Sequence, residues 1–116
     1  MKEDYGPYLP LNPATLHILL SLAGEERHGY GIMQEVTRQS NGQYKLGPGT
    51  LYDNLQKLMN TAIVEPAPAR SVDDDPRRRY YRLTKFGRGV LAAEISRLEA
   101  VVQEARQHLR PAPRRA

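Results

Sequence analysis

Hydrophobic positions along this chain recur in steps of three and four, interrupted by glycine and proline, which predicts four helices and one pair of short strands. Leu16, Leu19, Leu20 and Ala23 share one face of a first helix. Asn12 and Pro13 open it, because Asn caps free N–H groups and Pro suits the first helical position. Gly24 closes it before the charged turn Glu25-Glu26-Arg27. A second helix starts around Gly29, with Tyr30, Met33, Val36 and Thr37 on its apolar side and Ile32 filling in. It stops before Ser40-Asn41-Gly42, a strong turn signal, and Gln43 to Leu46 forms a short extended link. A third helix begins at Pro48. Leu51, Leu55, Leu58 and Ala62 form its buried stripe. Thr50, Asp53, Asn54, Gln56 and Lys57 occupy the opposite face, with Tyr52 at its edge.

Beyond the third helix the period changes. Ile63 to Ala67 reads as a short strand, and Asp73-Asp74-Asp75-Pro76 supplies turn chemistry. Arg79 to Leu83 alternates, with Tyr81 and Leu83 on one face and Tyr80 and Arg82 on the other. Thr84 is placed to cap a last helix whose first turn carries Gly87 and Gly89. Leu91, Ile95, Leu98, Val102, Ala105 and Leu109 then repeat in heptads and form a seam roughly 27 Å long. Pro111 stops the helix. The expected division is 1–84 for the globular part with its N-terminal extension, 85–110 for the helix, and 111–116 for a disordered basic tail.

Three helices followed by a β-hairpin make a winged helix-turn-helix, so the expected fold is mainly α with a small hairpin and one long C-terminal helix. The first three helices have stripes that satisfy each other. The terminal seam is left over, and soluble monomers avoid apolar patches of that size. A homodimer through the terminal helices is therefore expected, with their relative direction open.

Length and charge narrow the function. The chain has 116 residues, enough for one domain, and no cysteine, which excludes disulfides and thiolate chemistry. It opens without a signal-like run and contains no membrane-length apolar stretch, so a soluble cytoplasmic protein is expected. Residues 1–58 carry five basic and six acidic side chains, whereas 59–116 carry twelve and seven. Six of those twelve lie between Arg77 and Arg88, a stripe that favours a polyanionic partner.

Enzyme chemistry finds no support. His17, His28 and His108 are scattered, with no nucleophile and orienting acid beside them. His28 just precedes the second helix, where a structural hydrogen bond is its expected role. The glycines of Gly29-Tyr30-Gly31 and Gly47-Pro48-Gly49 lack the spacing and lysine of a phosphate loop. The three aspartates of the turn lack the ligand spacing of a metal loop. No cofactor and no metal are expected.

Three signatures in order resemble the PadR family of bacterial transcriptional regulators: His28-Gly29-Tyr30-Gly31-Ile32; Leu46-Gly47-Pro48-Gly49-Thr50-Leu51-Tyr52 with Leu55, Lys57 and Leu58; and Arg79-Tyr80-Tyr81-Arg82-Leu83-Thr84 with Gly87. The likeness runs from about Asn12 to Leu109 and is closest to the compact branch with a single C-terminal helix. It implies a homodimeric repressor on a palindromic operator, with the third helix in the major groove, Thr50 and Tyr52 at the DNA surface, and the wing along the backbone. Two positions depart from the family pattern. Asp53 stands where proline often follows the tyrosine, and Ala62 where glycine commonly precedes the first strand.

The DNA-facing residues expected on these grounds are Thr50, Tyr52, Asn54 and Lys57 on the third helix, Lys45 ahead of it, and Arg77, Arg78 and Arg79 on the wing. The expected partners are double-stranded DNA and a second copy of the chain. A small-molecule effector is compatible with the chain but unsupported, since there is no Trp and one Phe to line a cavity. The rival reading is a winged-helix module that binds protein instead of DNA, favoured by Asp53 and the acidic turn and opposed by the polar third-helix face.

Overall fold

The computed structural model describes residues 4–68, 75 and 77–111. A 3-10 turn at Gly6–Tyr8 precedes α1 (Pro13–Ala23), β1 (Arg27–His28), α2 (Gly29–Gln39), α3 (Pro48–Asn60), β2 (Val64–Ala67), β3 (Tyr80–Leu83) and α4 (Lys85–Leu109). The helix starts follow the predicted chemistry. The Asn12 side chain accepts from Thr15 N–H at 2.9 Å, and the Thr84 hydroxyl accepts from Gly87 N–H at 2.8 Å. His28 caps α2 through its ring Nδ1, which accepts from Gly31 N–H at 3.0 Å.

The sheet has three antiparallel strands in the order β1-β3-β2. Val64 faces Leu83 and Ala67 faces Tyr80, while Arg27 and His28 pair with Tyr81 and Tyr80 on the other edge of β3. The charged turn after α1 therefore holds a third strand that the sequence pattern does not reveal. Two residues are too few to show a period.

α1 lies at the centre and contacts α2, α3, α4 and β3. Ile18, Leu19 and Leu22 are its fully buried hydrophobic residues, while Leu16, Leu20 and Ala23 pack at the core's edge. The expected one-sided stripe is thus wider, because a central helix is covered from several directions. Ile32, Val36, Leu51, Leu55, Leu58, Val64, Leu83 and Val90 join them in the core, with Leu46, Ile63, Tyr81 and Leu91.

Three expectations are corrected. Tyr30, assigned to the apolar side of the second helix, is 63% exposed, and the buried line runs instead through Gly29, Ile32 and Val36. Ala62, assigned to the stripe of the third helix, lies beyond its end and is exposed. There Ala62 N–H donates to Met59 C=O and Ile63 N–H to Leu58 C=O, a Schellman cap with residue 62 in the left-handed region at φ 59°. Leu91, assigned to the seam between chains, is 7% exposed within the chain's own core. Ile95 packs against the same cluster.

The two glycines of α4 permit close packing at its root. A β-carbon at Gly87 would collide with the main chain of Ile63, 2.9 Å from its carbonyl carbon, and one at Gly89 would run into the Tyr5 ring. Tyr5 and Tyr8 both pack on Phe86, with ring centroids 5.6 and 5.3 Å apart. The buried Glu94 carboxylate accepts from Leu11 N–H at 2.8 Å and pairs with Arg97. The Arg97 guanidinium, more than the main-chain donor, holds the Glu94 carboxyl below the usual glutamate range against its burial.

From Glu99 onward every described residue of α4 is exposed. The helix projects from the body, and the radius of gyration is 17.4 Å, against roughly 13 Å for a compact chain of this length. Among the described residues, no helix is long and apolar enough to cross a membrane.

Candidate nucleic-acid interface

α3 carries its polar residues outward because Leu51, Leu55 and Leu58 are drawn into the core. At about 100° per residue, the line opposite that stripe runs through Gly49, Asp53, Gln56 and Asn60, all exposed. Asp53 lies close to its middle. Thr50, Asn54 and Lys57 flank this line on one side and Tyr52 on the other.

The expected DNA-facing residues differ in availability. Thr50, Lys57 and Lys45 are exposed, and Tyr52 is 49% exposed. Asn54 is committed elsewhere. Its carbonyl oxygen accepts from the Thr15 hydroxyl at 2.9 Å, and its amide donates to Thr50 C=O at 2.8 Å. It ties α3 to α1, with one amide N–H and one oxygen lone pair left over. Gln56 donates to Asn60 at 3.1 Å, a pairing that orders both side chains on the outer line.

Tyr52 leans toward the start of α2 and the wing. Its ring rests against Gly29, where a β-carbon would lie 3.0 Å from the ring carbon Cζ and closer still to the hydroxyl. Around it opens a cleft of about 390 Å³ lined by His28, Gly29, Tyr30, Tyr52, Arg77, Arg78, Arg79 and Tyr81. The structure thus brings Tyr52 together with all three wing arginines, although they are 25 or more positions apart in the chain.

The arginines are not equivalent. Arg77 is held by Asp75 through both carboxylate oxygens, at 3.2 and 3.1 Å, and through its own N–H at 2.9 Å. The Arg77 side chain, then its main-chain N–H, holds the Asp75 carboxyl below its ordinary range. Arg77 is thus paired with Asp75 in an exposed ion pair. Asp73 and Asp74 lie outside the described residues. Among the described residues, neither Arg78 nor Arg79 makes a hydrogen bond or salt bridge to a carboxylate, although the Arg78 charge also acts on Asp75. Arg82, farther along the stripe, pairs with Glu65 at 2.8 Å and Glu26 at 3.7 Å. Burial raises the Tyr81 phenol, helped by the Tyr52 phenol, while the Arg79 charge opposes the rise.

A family model described as the PadR-like family of transcriptional regulators matches residues 18–93, which span the whole of this arrangement. The chain belongs to that family. Members of the PadR-like family are transcriptional regulators and not enzymes. The chain is 36% identical over 89 residues to a transcriptional regulator of Mycobacterium tuberculosis, covering 77% of this chain and 78% of that one. Its fold is similar to a PadR family transcription regulator from Clostridium difficile, with a TM-score of 0.71 at 20% identity over 84% of this chain and 99% of the other. A PadR-like regulator from Bacillus cereus gives a TM-score of 0.70 at 20% identity, covering 84% and 92%. These likenesses establish the winged-helix fold of this PadR-like chain.

His28, Gly29, Tyr30 and Tyr81 line the cleft without being expected there, and the spacing of Tyr30 conceals its place by grouping it with Met33 on an apolar side. Its place directly after the capping His28 and Gly29 is the signal that it stands on the outer first turn of α2.

Proposed function

We propose that the chain is a homodimeric repressor that binds duplex DNA at a two-fold symmetric operator. One observation carries the reading: exposed Tyr52 on α3 and the cationic Arg78 and Arg79 of the wing line one open cleft beside the polar outer face of α3. Such a surface suits an α-helix in the major groove with arginines along the neighbouring phosphates. Thr50, Tyr52 and Lys57 serve the groove. Lys45, Arg78 and Arg79 serve the backbone. Asn54 serves the fold.

The projecting half of α4 supports dimerisation. Leu98, Val102, Ala105 and Leu109 fall on one face, and Val101 and Val102 are 52% and 46% exposed. A helix of this length with no tertiary cover is marginal in water. A partner helix on this seam supplies the cover and brings a second α3 into the assembly. A dimer seated across an operator acts by occlusion, which makes it a repressor wherever that operator overlaps a promoter.

Sedimentation of the purified protein tests the assembly. The expected species is a dimer, converted by Leu98→Glu with Val102→Glu into a folded monomer that loses duplex affinity. A wild-type monomer at micromolar concentration contradicts the reading.

A further inference from the structure

We propose that Asp53 determines operator specificity by accepting a hydrogen bond from the 4-amino group of a cytosine in the major groove. This rests on the DNA-binding reading above and extends it to one residue. Asp53 lies near the middle of the outward line of α3, with Gly49, Gln56 and Asn60 along the same line and Leu51, Leu55 and Leu58 on the far side. Whatever α3 enters, Asp53 faces first. Among the described residues it has no hydrogen-bond or ion-pair partner, so its carboxylate has no structural employment.

A carboxylate at that place repels phosphate and is costly to desolvate unpaired. It is acceptor-only, so N7 and O6 of guanine and O4 of thymine repel it as well. The donors that the major groove offers are the amino groups of cytosine and adenine. Adenine carries its own N7 acceptor beside the amino group, whereas cytosine presents no acceptor of its own on that edge. The balance selects a C·G pair at one position of each half-site. The same charge lowers affinity for all other sequences, so Asp53 trades general binding for discrimination.

The test uses full-length protein with Asp53→Ala and Asp53→Asn, neither of which removes an interaction that holds the fold. Each is titrated against the duplex that the wild-type protein enriches from a random pool, and against that duplex with every base pair varied singly. The wild-type protein is expected to prefer C·G at one half-site position by roughly ten- to a hundredfold. Asp53→Ala flattens that position alone, and Asp53→Asn shifts its preference toward A·T. Both variants bind random duplex several-fold more tightly at low salt. Unchanged discrimination at every position in Asp53→Ala overturns the proposal and leaves the DNA-binding reading standing. So does unchanged affinity for random duplex in both variants. A wild-type protein that enriches no sequence overturns both.

Discussion

The ring of Tyr52 rests on Gly29, so close that a β-carbon at residue 29 would collide with the phenolic oxygen and come within 3.0 Å of Cζ. The glycine that opens α2 therefore sets where the α3 tyrosine points. Gly29→Ala is expected to swing the ring out of the cleft, since the free end of a side chain is the part that yields. Stability is expected to stay within about 1 kcal/mol, because the exchange also removes a glycine from a helix. Duplex affinity is expected to fall roughly tenfold, the scale of one well-made base interaction. Thermal unfolding beside a gel-shift titration checks both halves. Full affinity in the variant means that the orientation of Tyr52 does not matter.

The wing arginines divide by partner. Arg77 is hydrogen-bonded by Asp75, while no described carboxylate hydrogen-bonds Arg78 or Arg79. Replacing Arg78 and Arg79 by Ala is expected to make the slope of log affinity against log salt shallower by about 1.8, at roughly 0.9 for each phosphate that is no longer neutralised. Arg77→Ala is expected to leave the slope nearly unchanged. Anisotropy titrations between about 50 and 200 mM salt measure it. Equal slopes for all three proteins remove the wing from the interface.

Ala62 occupies the left-handed C′ position of the α3 cap at φ 59°, where a β-carbon costs about 1 kcal/mol. Ala62→Gly removes that strain while keeping both cap hydrogen bonds. An increase in unfolding free energy of about 1 kcal/mol in urea titration is expected. A decrease shows that the larger chain entropy of the unfolded glycine variant outweighs the strain relieved.

Most of the fold is legible in the sequence, and where it is not, the reasons are local. Asn12-Pro13, Pro48 and Thr84 mark helix starts because capping is short-range chemistry, and each stands at the head of its helix. Ala62 continues the spacing of Leu51, Leu55 and Leu58, but the helix ends at Asn60, and periodicity alone carries no stop signal. Leu91 fits the heptad as well as Leu98 does. Only the packing of α4 against α1 and β3 shows that the seam of the first turns is used inside the chain. At the candidate site, the grouping of Tyr52 with the wing arginines follows from fold order. The sequence does not show that Asn54 is bonded to Thr15, a residue 39 positions away, or that Asp75 pairs with Arg77.

The N-terminal extension is joined to α4 by the Glu94 carboxylate, which binds Leu11 N–H and Arg97. Its folded pKa is lowered, chiefly by Arg97. A group lowered on folding stabilises the native state above its unfolded pKa, about 4.3, and loses that contribution as pH falls through the folded value. The wild-type protein is therefore expected to exceed Glu94→Gln in stability at pH 7, with the gap closing as pH falls below about 4. Urea unfolding at a series of pH values follows it. A gap that is independent of pH assigns the effect to packing instead of charge.

Two copies of the α3 and wing surface are expected to read one duplex. Selection of bound sequences from a random duplex pool by the wild-type protein measures this. Enrichment of an inverted repeat whose half-site centres lie about 10 base pairs, or 34 Å, apart is expected. A pool that emerges unenriched, or enriched in a single half-site without a symmetric mate, would contradict it.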